Sequence, residues 1–373
     1  MIIGLVKDNR RYESRVSLTP TGVAVLVNSG HTVYVEKGAG KLSGFLSEDY
    51  LQVGARIAYS TEEMYGRSDI VLRMSPLTVS ELEFLREGQI ICSAMHLSIA
   101  PKKVFDVLLE KKVTAIGIEL LQHEKGYYPV LESMGQIAGR MSIQIAAQYL
   151  QSNRGGRGIL LSGVPGVPPA VIVVIGAGIV GLNSALTALG IGAQVIVLDN
   201  DVGKLRRLET LASARATTSF SNEIAIKKSL KFADVVISSV LLPGGERAPH
   251  VISEDMIKKM KSRSVLIDIS IDQGGCTATS RPTTLRDPVF VRHDVIHYCV
   301  PNIPASVGRT ATHSLNNALL PFVSDIANKG IQGAVRSRIN FGKSIFTHNG
   351  YSVNEVTSKI FDVDYTSIHD AMR

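Results

Sequence analysis

Short apolar runs alternate with helical stretches along the first third of the chain. Ile2 to Val6 is a short apolar strand, and His31 to Glu36 (HTVYVE) alternates apolar and polar positions as a strand does. Ile70 to Arg73, Gln89 to Ser93 and Thr114 to Ile118 read as further buried strands, each after a helical stretch. Pro20 to Ser29 reads as a helix with Thr19 as its N-cap. Strands that alternate with helices predict a parallel sheet.

Gly135 to Ser152 (GQIAGRMSIQIAAQYLQS) carries a long helical pattern and leads into the stretch VIVVIGAGIVGLNSALTALG. Beyond it the alternation resumes, with strands expected at Gln194 to Leu198, Asp234 to Ser239 and Val265 to Ile269. Ser314 to Asn328 reads as a helix that Pro321 should kink or break. The tail from Gly330 to Arg373 is mixed, and no short-period repeat or low-complexity segment occurs. From Gly158 to Leu198 there is no charged residue. Hydropathy alone would place a membrane helix there, but Pro165, Pro168, Pro169 and several glycines punctuate the run. A buried strand-turn-helix-strand unit explains it better.

Length and composition narrow the picture. With 373 residues, two domains are the natural expectation. A 45 % apolar and 20 % charged composition suits a soluble globular protein. The +7 formal charge is scattered, its densest groups being KKSLK at Lys227 and KKMKSR at Lys258. Neither a zinc-finger spacing nor an RNA-binding aromatic motif accompanies them, so no nucleic-acid partner is expected. Cys92, Cys276 and Cys299 are too few and too scattered for a disulfide framework or a zinc site. They fit a reducing compartment. The start, MIIGLVKDNRRYESR, lacks a signal-peptide pattern. A cytoplasmic protein without a membrane anchor is the expectation.

The glycines at 176, 178 and 181 fit G-x-G-x-x-G. The motif is weak alone, but here it follows a strand, opens a helix, and precedes Asp199 at the close of QVIVLD. The first glycine permits the turn, the second lets backbone approach a pyrophosphate, and the third lets helix pack on strand. Gly176, Ala177, Gly178, Ile179, Val180 and Gly181 are therefore the expected phosphate cradle, and Asp199 the ribose acceptor. The residues after it, Asn200 and Asp201, offer no arginine for a 2′-phosphate, which favours NAD over NADP. Lys204 is a helix-surface lysine or an edge contact to the adenosine.

The stretches ESRVSLTPTGVAVLVNSGHTVYVEKGAG, AGRMS, GGRG, GVPG, IGAGIVG, IDISIDQGGCTATSRPTT and YCVPNIPASVGRTATHSLNNALLP resemble alanine dehydrogenase nearly end to end. The nucleotide-binding part of proton-translocating transhydrogenase is a more distant likeness. The resemblance implies an α/β protein of two doubly wound, Rossmann-like domains, with the NAD domain inserted into a split substrate domain. By that reading residues 1–127 and 305–373 form the substrate domain and residues 128–304 the NAD domain. It also implies a homohexamer.

Oxidative deamination needs an anion clamp and an acid/base group. Arg15, in ESRVSLTP, matches the family's carboxylate-binding arginine, and a planar guanidinium suits a carboxylate. From composition alone it would read as a loop arginine. His96, in SAMHLSIAP at a strand end, is even between a core histidine and a proton carrier until the resemblance favours acid/base work. Asp272, in IDISIDQGG, matches the aspartate beside the nicotinamide, while Asp268 reads as structural. Ser221 near the adenine, Val240 and Leu241 beside the nicotinamide ribose, and Asn302 near the nicotinamide are carried over in the same way.

Three positions depart from the family. Where it reads L-K-V-K-E-P, this chain has VLRMSPL, so its substrate lysine is Ser75 and its first lysine Arg73. Arg73, two residues earlier, should share one side of a strand with Ser75 and offer a displaced cation. The serine usual after methionine in P-M-S is Gly135. The expected function is NAD-dependent oxidative deamination of L-alanine to pyruvate and ammonium, with no metal. The alternatives are a dehydrogenase for another amino or imino acid and an NAD-binding homologue with impaired catalysis.

Overall fold

The computed structural model describes residues 1–97, 100–240 and 248–373. The chain divides into two compact units, Met1–Met134 with Ala305–Arg373, and Gly135–Pro304. The first is discontinuous, and the cut falls inside one helix, Pro129–Tyr149, rather than in a loop. That helix begins six residues before its apolar pattern, with a proline in its first turn, where a missing N–H costs nothing.

In the first unit the chain lays down β1 (Ile2–Leu5), β2 (Thr32–Glu36), β3 (Arg56–Ala58), β4 (Ile70–Leu72), β5 (Ile90–Ser93) and β6 (Thr114–Gly117). Across the sheet they run β3-β2-β1-β4-β5-β6, all parallel. Alternate residues feed two cores: Ile3, Leu5, Val35 and Leu72 one, Tyr34, Val71, Ile91 and Ala115 the other. Both faces are covered, so the strands read as continuous apolar runs. Thr19 caps the helix Pro20–Asn28, its Oγ1 accepting the Gly22 N–H at 3.2 Å.

The second unit repeats the plan with β7 (Val171–Ile175), β8 (Gln194–Asp199), β9 (Thr217–Phe220), β10 (Val235–Ser238), β11 (Val265–Asp268), β12 (Val289–Arg292) and β13 (Val295–Tyr298). The order is β9-β8-β7-β10-β11-β13, parallel throughout, with β12 added antiparallel at the edge. The uncharged run becomes β7, the helix Ile179–Ile191 and β8. Among the described residues no helix is long and apolar enough to cross a membrane.

The returning chain adds β14 (Ile345–His348) antiparallel to β6, and β15 (Tyr351–Ser352) beyond it. The helix before them differs from expectation. It spans Gly308–Ser337 and passes Pro321 without a break, and its kink lies instead at Gly330 (φ 67, ψ 176). Pro321 and Asn317 are both exposed, so water can satisfy the carbonyl that the proline leaves free. Gly330 interrupts the helix because it lacks the Cβ that makes such a conformation costly.

Both units share the strand order of a doubly wound fold, which reverses direction beside its first strand. Chains leaving β1 and β4, or β7 and β10, diverge there and open a crevice at the carboxyl ends of the strands.

Candidate active site

In the second unit the turn after β7 separates three glycine roles. Gly176 has φ 96, donates its N–H to the Leu198 carbonyl at 2.8 Å, and would bring a Cβ within 2.7 Å of the Ser239 carbonyl oxygen. A Cβ on Gly178, which caps the helix Ile179–Ile191, would meet nothing within 4 Å. A Cβ on Gly181 would overlap the Gly176 carbonyl oxygen. The protein thus leaves open the glycine position a diphosphate must approach, at a helix N-terminus that presents free N–H groups. Ala177, Ile179 and Val180 continue this turn into the helix.

Asp199 closes β8 and is 6 % exposed. Its Oδ2 accepts the Ala177 N–H at 2.6 Å and its Oδ1 the Asp201 N–H at 2.8 Å, so it fastens the glycine turn from the neighbouring strand. Ser221 follows β9 and donates its N–H to the Asp199 carbonyl at 2.9 Å. Lys204 is exposed on the helix Val202–Leu211. Val240 follows β10, and its carbonyl accepts the Ser270 hydroxyl at 2.8 Å. Leu241 lies outside the described residues. These groups fit a dinucleotide: an open glycine cradle, a helix N-terminus and an acid closing the second strand.

Asp272 and Asn302 come together. Asp272 lies in a 3-10 turn, Ile269–Gln273, after β11, and its Oδ1 accepts the Asn302 N–H at 3.1 Å. Asn302 follows β13 with φ 57, a conformation asparagine tolerates better than most residues. Asp268 is 1 % exposed and accepts the Cys276 and Thr277 N–H groups and, at 2.6 Å, the Ser280 hydroxyl. It is a structural carboxylate. At Gly135 a Cβ would lie 3.2 Å from Ile179 Cγ2, so a serine there presses on the first residue of the glycine-turn helix.

In the first unit Arg15 sits in the segment between β1 and the helix Pro20–Asn28. Glu13 grips one edge of its guanidinium: Nε donates to Oε1 at 2.7 Å and Nη2 to Oε2 at 2.6 Å. The pair is buried, with side-chain exposures of 9 % and 3 %. Among the described residues Nη1 has one hydrogen-bond contact, Met134 Sδ at 3.5 Å. The Nη1–Nη2 edge therefore keeps N–H groups for a second carboxylate.

The strand argument for Arg73 fails. β4 stops at Leu72, and Arg73 turns inward, 2 % exposed. Its Nε donates to the Ser75 carbonyl at 2.7 Å, and its Nη1 meets Glu81 at 2.7 Å and the Tyr65 hydroxyl at 3.1 Å. Burial works against its charge, but Tyr65 and Glu81 outweigh that and hold its pKa above the ordinary arginine value. Burial pushes the Tyr65 hydroxyl up to about 12. Ser75 itself is 6 % exposed, its N–H given to Asp8 Oδ2 at 2.9 Å. That bond joins the segments leaving β1 and β4 at the switch point.

His96 stands past the end of β5, exposed, with φ 44. Its N–H donates to Glu119 Oε1 at 2.9 Å. All three cysteines are free and buried, and burial pushes their thiols up, Cys92 to about 12 and Cys276 and Cys299 to about 11.

Comparison with known proteins decides the family. The family described as "Alanine dehydrogenase/PNT" matches with its N-terminal domain over residues 4–138 and its C-terminal domain over residues 142–355. The chain belongs to the alanine dehydrogenase/PNT family. An alanine dehydrogenase of Methanococcus maripaludis is 42 % identical over the full length of both chains. "Alanine dehydrogenase 2" of Staphylococcus aureus is 40 % identical, again over all of both. A solved L-alanine dehydrogenase superposes with a TM-score of 0.92 at 36 % identity, covering 97 % of this chain and 99 % of that one. A transhydrogenase from Sinorhizobium meliloti shares the fold at a TM-score of 0.80 and 23 % identity.

Within this alanine dehydrogenase/PNT chain, sequence reasoning missed four acids that hold site residues: Asp8, Glu13, Glu81 and Glu119. Glu13 was within reach, two residues before Arg15. Glu119 is 23 residues from His96 and faces it only because β5 and β6 are neighbours, with Ser93 opposite Gly117.

Proposed function

We propose that this chain catalyses the reversible reaction of L-alanine, NAD⁺ and water to pyruvate, ammonium, NADH and a proton. The observation that carries this reading is likeness over the full length to proteins named alanine dehydrogenase. The second unit is the NAD-binding unit and the first the substrate unit.

NAD⁺ supplies the hydride acceptor when bound. The N–H groups that open the helix Ile179–Ile191 would hold its pyrophosphate, and Asp199 would accept from the adenosine ribose. Ser221 borders the adenine, with Lys204 at its edge. Val240 and Asn302 would line the nicotinamide end, where Asp272 holds the Asn302 backbone. Arg15 takes the substrate carboxylate on the guanidinium edge that Glu13 leaves open, and Glu13 fixes the plane of that guanidinium. Once the amino acid is oxidised to its imine, His96 takes a proton from the water that adds to C2 and returns one to the departing nitrogen. The exposed imidazole suits that exchange. The active assembly is a cytoplasmic homohexamer.

Ser75 favours a second reading. Glu13 neutralises Arg15, Glu81 neutralises Arg73, and Ser75 brings no charge. The substrate carboxylate thus meets less positive charge than the family lysine would provide, which favours a different amino or imino acid. NADH oxidation with ammonium and pyruvate, run beside other 2-oxo acids and with NADPH, tests both. Turnover on pyruvate with NADH is expected. Turnover confined to another oxo acid establishes the second reading, and none at all, with NADH still bound, refutes both.

A further inference from the structure

We propose that Glu119 is a positioning residue for His96; the role rests on the reading of His96 as the proton carrier. β5 ends at Ser93 beside Gly117 of β6. After β6 the chain tightens into a 3-10 turn, Ile118–Leu120, which sets Glu119 across from residues 95 and 96. One carboxylate then takes two consecutive backbone N–H groups: Oε2 accepts from Met95 at 3.2 Å and Oε1 from His96 at 2.9 Å. Among the described residues Glu119 makes no ion pair, so this clasp is its work there.

The clasp matters because of what it holds. His96 has φ 44, a left-handed conformation that costs a residue with a Cβ about 1 kcal/mol and that the clasp offsets. Two successive N–H groups turned toward one side form a concave anion site, and here a side chain of the same unit fills it. The His96 imidazole is exposed and has no hydrogen-bond partner among the described residues. Among the described residues no side chain holds the ring, so the backbone that carries it sets where it stands. The cradle is also built for the carboxylate. A Cβ on Gly117 would lie 3.1 Å from Glu119 Oε2 and 2.6 Å from Phe346 Cε2, so a glycine gives Glu119 its room.

Without the carboxylate, Met95 and His96 lose their acceptor and the left-handed turn relaxes. A displacement of about 1 Å at a reacting group costs on the order of 100-fold in rate. The test compares Glu119→Ala, Glu119→Gln, His96→Ala and the double variant with the natural chain. Rates are read as pyruvate amination by NADH and ammonium, and amide exchange over residues 94–97 by mass spectrometry. Glu119→Ala should lower kcat on the order of 100-fold, leave NADH binding unchanged and speed exchange at Met95 and His96. Glu119→Gln keeps one acceptor oxygen and should fall between; it also serves if the alanine variant does not fold. In the His96→Ala background, Glu119→Ala should cost nothing more. An undiminished kcat in Glu119→Ala and Glu119→Gln beside an inactive His96→Ala, or unchanged exchange at those two amides, overturns the positioning role. A His96→Ala variant with natural kcat overturns the reading of His96 instead, and the exchange data then report the clasp alone.

Discussion

The two units share one strand order and place their candidate residues at the same end of the sheet, yet on the proposed reading they recognise ligands by different means. In the second unit that reading makes the backbone the binding surface. Gly176, Gly178 and Gly181 are fixed by what a Cβ would strike or block, and Asp199 closes the next strand. In the first unit side chains do the work. Arg15, Ser75 and His96 leave three different strands, and each is held by an acid from elsewhere in the sequence or two residues away. A backbone surface tolerates almost no change and advertises itself by spacing. A side-chain surface can exchange a member and keep its frame, and Ser75, where the resemblance implies a lysine, is such an exchange on that reading.

The largest effect is expected where backbone meets backbone. Gly181→Val drives a side chain into the Gly176 carbonyl and should cost about 3 kcal/mol or more, with NADH binding lost. Gly178→Ala is its counterpart. Its Cβ meets nothing in the protein, so Tm should hold while NADH affinity falls about 10-fold through obstruction of the diphosphate. Thermal melts and NADH fluorescence titration read the two apart. A Gly178→Ala chain that binds NADH normally would mean the open face is not the phosphate approach.

Arg15→Ala comes next, and it should hurt twice. It takes the guanidinium from a Glu13 side chain only 3 % exposed, which costs about 3 kcal/mol, and it removes the clamp. Arg15→Lys separates the two. It keeps a charge near Glu13 and so most of the Tm, but a single ammonium cannot bridge two carboxylates as the fork does, and KM for pyruvate should rise about 10-fold or more. Equal KM in the lysine variant and the natural chain would remove Arg15 from substrate binding. Ser75→Lys runs in the opposite direction. It returns a cation to a segment tied to Asp8, and about a 10-fold gain in kcat/KM on pyruvate is expected. A fall would mean that the crevice has been reshaped around serine for another substrate.

Much of this is legible in the sequence alone. Apolar runs between helical stretches gave the parallel sheets, because strands buried on both faces leave no polar alternation. The glycine turn and Asp199 were legible because close backbone approach restricts residue type at fixed spacing. Arg15, His96 and Asp272 were not legible from their own chemistry; family resemblance raised them. Arg73 misled because a strand was assumed to continue past Leu72, whereas burial beside Tyr65 and Glu81 turned it inward. Pro321 misled because a proline on an exposed helix face loses a bond that water replaces. Glu119 was out of reach, since only the pairing of β5 with β6 brings it to His96.

The smallest expected effect contrasts one histidine in each unit, fully buried in the second and half-buried in the first. His297, in β13, is wholly buried: Nδ1 donates to the Val295 carbonyl at 2.9 Å, and Nε2 lies 2.8 Å from the Thr279 hydroxyl. His348, in β14, is half-buried, with Nδ1 2.9 Å from the Thr114 hydroxyl. Burial lowers both pKa values below the ordinary histidine value. The unfolded chain therefore binds protons that the folded chain refuses. Stability present above about pH 6.5 is lost as pH falls below that value toward the folded pKa. His297 has both ring nitrogens engaged, one of them as an acceptor that protonation would abolish, so the second unit should lead the loss. Melts between pH 5 and pH 7 should show His297→Gln flattening the acid limb of the Tm curve more than His348→Gln does. An acid limb unchanged by His297→Gln would assign that sensitivity to carboxylates instead.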